Sequence, residues 1–147
     1  LTSLRLRIFP NLYFYATRYL MERITNHVAK QHGRVDVVFA NRAHLSYTDL
    51  ETYLRYLQQD RHARVRNVID TICSAQMLQR KLLQIADTCA GAAFDALEAD
   101  RYGNCEESYL RGLAGRLYRK DGCLLNYGIK LFPENELLSR YDWLRQI

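Results

Sequence analysis

No apolar run in this chain approaches the ~20 residues that span a bilayer, so it holds no membrane-crossing helix. Its four cysteines (Cys73, Cys89, Cys105 and Cys123) are far apart, with no C-x-x-C pair and no adjacent histidine. That spacing argues against a zinc site and for reduced thiols in a cytoplasmic protein without disulfides. A glycine-rich phosphate loop, a G-x-S-x-G elbow and an H-E-x-x-H helix are all missing, which removes three common catalytic signatures. His27 and His32, five apart at a helix end, do not make a metal pair. The chain has neither repeats nor low-complexity segments.

What is present begins with charge. Lys and Arg number 21 against 16 Asp and Glu, a formal net charge of +5. Arg61, His62, Arg64 and Arg66 form one basic cluster, Arg80 and Lys81 a second, and Arg111, Arg116, Arg119 and Lys120 a third. Converging on one face they would attract phosphates; a solvated surface accounts for scattered cations equally well. Exposed tyrosines (Tyr13, Tyr15, Tyr102) could stack bases, although core and surface packing is the simpler explanation of eleven tyrosines.

Helices and strands alternate along the chain. Pro10 breaks a strand-like opening, and Asn11 caps a helix reaching to about Lys30. Its expected inward stripe is Leu12, Ala16, Tyr19 with Leu20, Ile24 and Val28, and Gly33 ends it. Val35 to Ala40 reads as a buried strand. Ser46, with Asp49 three residues on, starts a helix whose core face is Tyr47, Leu50, Tyr53, Leu54 and Leu57. From Arg61 to Ala75 the pattern allows a short strand or an irregular loop. Asn104 and Glu107 predict a capping box for a helix with Leu110, Leu113, Ala114 and Leu117. Leu125 to Leu131 alternates as a half-exposed strand that Pro133 stops, and a final helix from Glu134 carries Leu137, Leu138, Tyr141 and Leu144. Such an order predicts an α/β domain, helices packed on a small mixed or parallel sheet, over residues 1–147.

The segment from about Ala75 to Ala99 carries the sharpest expectation. It is apolar at nearly every angle, so as a helix it should be buried nearly all round. Gln84, Asp87, Thr88, Gly91 and Asp95 make a narrow polar seam upon it. A carboxylate there must be paired, hydrogen-bonded or metal-bound. Asp87 is then either a buried hydrogen-bond hub or a carboxylate facing a cleft. Asn41, Arg42 and His44 follow the first strand, where open α/β sheets bind ligands; Asn41 and His44 could equally just satisfy the turn.

Leu82-Leu83-Gln84-Ile85-Ala86-Asp87, followed by Cys89-Ala90-Gly91-Ala92, resembles the C-terminal signature of the bacterial domain of unknown function 3800 family. Ser74 fits that family's serine upstream, and Gly128 to Pro133 is similar to its closing strand. Tyr19 to Arg23 resembles its early helix, and Val37 to Arg42 its central strand. The resemblance implies a ribonuclease H-like fold and a nuclease using Mg2+ or Mn2+. Asp87 would ligate the metal, Gln84 would orient it, and Arg42, Arg80 and Lys81 would contact nucleic acid. Magnesium needs several hard oxygen ligands. The family's acidic opening strand would lie before Leu1, and Asn41 stands where family members often carry an acid. A chain opening in mid-pattern on Leu1, without a signal peptide, accordingly reads as the C-terminal two-thirds of a longer domain. The alternative is a non-catalytic binding or structural domain on the same fold.

Overall fold

The strand expected at Val35–Ala40 forms (β1), with only Val37 of it buried rather than the whole run, and its partner is Ile69–Ala75 (β2). This computed structural model describes residues 2–42, 45–132 and 134–147, with side chains from Leu12 onward. The two strands run parallel, Val37 against Ile72 and Ala40 against Ala75, with an irregularity between Val35 and Val37. There the Asp36 carboxylate accepts hydrogen bonds from the Thr71 amide and hydroxyl. A parallel pair needs a long crossover, and it contains the helix Tyr47–Gln59 (α2). Ser46 caps α2 as its sequence foretells, its hydroxyl accepting the Asp49 amide at 3.3 Å. The described chain is mixed α/β with one two-stranded parallel sheet.

By its contacts the chain divides into two compact units, Leu1–Leu83 and Gln84–Ile147. In the first, Leu50, Leu54 and Leu57 of α2 are buried with Met21, Val37, Ala63, Val65 and Ile69. Each fully buried leucine of this kind contributes about 1.5–3 kcal/mol. The first helix (α1) spans Thr2–Lys30, so it runs through Pro10 and no strand opens the described chain. The inward face of α1 is also turned from the expected stripe. Leu12 and Leu20 are more than half exposed, while Thr17, Met21, Glu22 and Thr25 are buried. Phe14 and Met21 face the core instead, and the Phe14 ring lies 5.1 Å from that of Tyr53. At the end of α1 the left-handed residue is His32 (φ 54°), not Gly33, whose amide bonds to the Val28 carbonyl at 3.0 Å.

The second unit packs Ala96, Leu110, Leu131, Leu138, Tyr141 and Leu144. The central helix (α3) spans Lys81–Leu97, followed by Ser108–Leu113 (α4) and Glu134–Arg140 (α5). Leu138, Tyr141 and Leu144 are buried in the core, but not on one helix as expected: α5 ends at Arg140, and Leu144 lies in a separate short 3-10 turn, Asp142–Arg145. Two further expectations fail here. The Asn104–Glu107 capping box does not form: Asn104 donates to Asp100, and the Ser108 amide bonds to the Glu106 carboxylate. Residues 125–131 make no strand but a chain of turns, with Asn126 left-handed (φ 66°) and an isolated Leu125–Ile129 bridge. A Cβ at Gly128 would collide with the Tyr118 carbonyl, so the backbone approach there requires glycine. Among the described residues no helix is long and apolar enough to cross a membrane. All four cysteines are free.

Candidate nucleic-acid interface

The segment 60–67 connects α2 to β2 and alternates polar with apolar residues. Ala63 and Val65 point into the first core, which leaves Arg61, His62, Arg64 and Arg66 exposed. Arg64 adopts a left-handed backbone (φ 53°), the local turn between these two buried neighbours. The segment is fastened along α1. The Thr25 hydroxyl accepts the Arg66 amide at 3.0 Å and donates to the Met21 carbonyl at 2.7 Å. Asn26 donates to the Arg64 carbonyl at 3.2 Å and accepts from Arg66 Nε at 3.0 Å. Arg18 reaches the His62 carbonyl at 3.5 Å.

On one side of α1, Tyr15, Tyr19, Arg23, Asn26 and Lys30 recur at helical spacing, and Asn26 among them meets the segment. The Tyr15 and Tyr19 rings meet edge to face at 4.9 Å, their hydroxyls 3.1 Å apart. That hydroxyl bond holds the Tyr15 phenol above its ordinary value. Arg18 is paired with Glu22 at 3.1 Å, which raises its already high pKa. From Tyr15 to Lys30 and across 60–67, six Arg and Lys residues face only two acids, Glu22 and Asp60. Arg61 and Arg64 make no ion pair with another described residue, so their charge is available to a partner.

The residues singled out from sequence are placed as follows. Asn41 and Arg42 are exposed just past β1; the Asn41 amide bonds to the Ala75 carbonyl at 2.9 Å, and the Arg42 amide to the Tyr47 hydroxyl at 2.5 Å. His44 lies outside the described residues. Near these strand ends α2 and the sheet enclose a cleft of about 170 Å³, lined by Phe39, Tyr47, Thr48, Glu51, Ile72 and Cys73. Arg80 and Lys81 are exposed where α3 begins.

The expectation that α3 is buried nearly all round is overturned. Only Ala92 and Ala96 are buried; Leu82, Ile85 and Phe94 are 79%, 58% and 64% exposed, and Gln84 and Asp87 are exposed too. The physical reason is that the second core reaches only the last turns, where small alanines allow close packing. Asp87 is therefore not a buried hub. Gln84 and Asp87 stand about one turn apart, with the Thr88 hydroxyl donating to the Gln84 carbonyl at 2.9 Å. Among the described residues no three His, Cys, Asp or Glu gather as a metal site. Gln84 and Asp87 by themselves do not fit magnesium, which needs more oxygen ligands than Asp87 supplies.

Sequence reasoning marked the basic cluster but missed what seats it. Arg18, Thr25 and Asn26 lie about forty positions from their partners, and no local pattern announces such contacts. The alternation of Ala63 and Val65 with Arg61, Arg64 and Arg66 was the available signal. No family model, curated protein or solved structure matches the chain.

Proposed function

We propose that this chain is a nucleic-acid-binding α/β domain that holds phosphates with the Arg61–Arg66 segment. The observation that carries the reading is the outward set Arg61, His62, Arg64 and Arg66, fixed against α1 by Thr25 and Asn26. The hydrogen bonds to α1 fix the backbone that carries these cations, and their binding to phosphates releases condensed counterions. This is the binding alternative of the two functions considered from sequence. A ribonuclease H-like arrangement around β1 and β2 is the finer fold reading, supported by the family resemblance, whose most specific segment is Leu82 to Asp87.

The test is fluorescence anisotropy of labelled oligonucleotides in EDTA, across about 50 to 200 mM salt. Affinity should fall steeply with salt, and Arg61→Ala or Arg64→Ala should each lower the slope by about one. Binding absent at the lowest salt would refute the proposal. Adding magnesium examines the nuclease alternative: cleavage that Asp87→Asn abolishes would make Asp87 and Gln84 part of an active centre.

A further inference from the structure

We infer that the ligand is single-stranded, its bases stacking on the Tyr15–Tyr19 pair of α1 while its phosphates follow the Arg61–Arg66 segment. This rests on the nucleic-acid reading above and adds the class of ligand. The argument starts from the helix. Tyr15 and Tyr19 are one turn apart, and Arg18 lies between them in sequence. Arg18 touches the His62 carbonyl and Asn26 touches the Arg64 carbonyl, so the segment is received by the side of α1 on which helical spacing puts Tyr15 and Tyr19. From Tyr15 to Asn26 the helix advances about 16 Å, the reach of a short strand rather than a point contact.

The aromatic pair is positioned as a platform. Edge-to-face contact and the hydroxyl bond hold the two rings against each other, yet Tyr15 remains 48% exposed. Leaving large aromatic area in water has no folding benefit, whereas a base laid on it replaces water with stacking. Stacking on a side chain requires an unpaired base, because in a duplex each base face is already covered by its neighbours. The cations alone would suit either form; the rings favour the single strand. A tyrosine face accepts any base, so the site tracks the strand without reading its sequence.

The experiment compares single strands of roughly a dozen nucleotides, oligo-dT and oligo-U, with a duplex of equal length. The full chain and its Tyr15→Leu and Tyr19→Leu variants are titrated by anisotropy, with circular dichroism melts run alongside. Tyr15→Leu should weaken single-strand binding by about 5- to 150-fold, leaving duplex affinity and salt slope unchanged. Tyr15→Phe should retain it. Equal affinity for duplex and single strand, with no loss in Tyr15→Leu, would overturn the inference while leaving phosphate binding intact. Failure of every oligonucleotide to bind would overturn both. Should Tyr19→Leu melt early, the more exposed Tyr15 decides the matter by itself.

Discussion

Arg64→Gly separates what the basic segment does for the fold from what it does for a ligand. Arg64 sits at φ 53°, where an L side chain costs roughly 1–2 kcal/mol and glycine almost nothing. Against that relief, glycine adds about 0.5–1 kcal/mol of conformational freedom to the unfolded chain. The Arg64 side chain is exposed and makes no ion pair with another described residue. Its carbonyl accepts from Asn26, and that bond survives the substitution. The net expectation is therefore no loss of stability and a gain of up to about 1.5 kcal/mol. In a thermal melt this is at most a few degrees upward. Oligonucleotide binding should weaken, with a salt slope lower by about one. A melt lowered by several degrees would refute the account, because it would mean that the side chain holds the segment in place. Unchanged binding would remove Arg64 from the interface.

Thr25→Val leaves the Arg66 amide without its acceptor beneath a buried surface, and should cost about 1–3 kcal/mol in chemical denaturation. Thr25→Ser, which keeps the hydroxyl, should cost clearly less, and equal losses would dismiss the hydrogen bond as the cause. Leu82→Gln with Ile85→Gln should raise solubility and shift stability by no more than about 0.5 kcal/mol per site, since both side chains are exposed. A cooperative loss of several degrees in that variant would show that the first turns of α3 are covered. Burial pushes the phenols of Tyr13, Tyr53 and Tyr141 above their ordinary value, so the folded state holds their protons longer than the unfolded state does. Their contribution is then complete below the usual tyrosine range near pH ~10 and is lost as pH rises through the raised values. Melts should be flat up to that range and fall above it, and Tyr53→Phe should make the fall shallower.

Several elements were legible from local chemistry. The β-branched run at Val35–Ala40, the Ser46 cap and the Leu50–Leu54–Leu57 spacing each specify their element through neighbours only a few residues away, and all three form as expected. The burial of Leu138, Tyr141 and Leu144 also follows from sequence, and so does the α/β alternation that predicted helices on a small mixed or parallel sheet. Where the local signal misled, the deciding contacts were distant or absent. The apolar composition of α3 says that it could be buried, but burial needs a surface to pack against, and the second core meets only its Ala92 and Ala96 turns. Alternation over 125–131 resembles a strand, but no partner strand supplies a ladder; the left-handed Asn126 and the close approach at Gly128 turn the backbone instead.

The candidate interface divides along the same line. The sequence by itself determined the cations, their clustering at 61–66 and the apolar residues interleaved with them, because that alternation turns charge away from any core. Which helix receives the segment, and which face of α1 remains outside beside it, was decided only by tertiary contact. Thr25 and Asn26 meet Arg66 and Arg64 across about forty residues, and these bonds lay the basic segment on a helix with which it shares no local sequence pattern. Hydrogen bonds of that range depend on how the chain folds back on itself, a property of the whole first core rather than of any window of sequence.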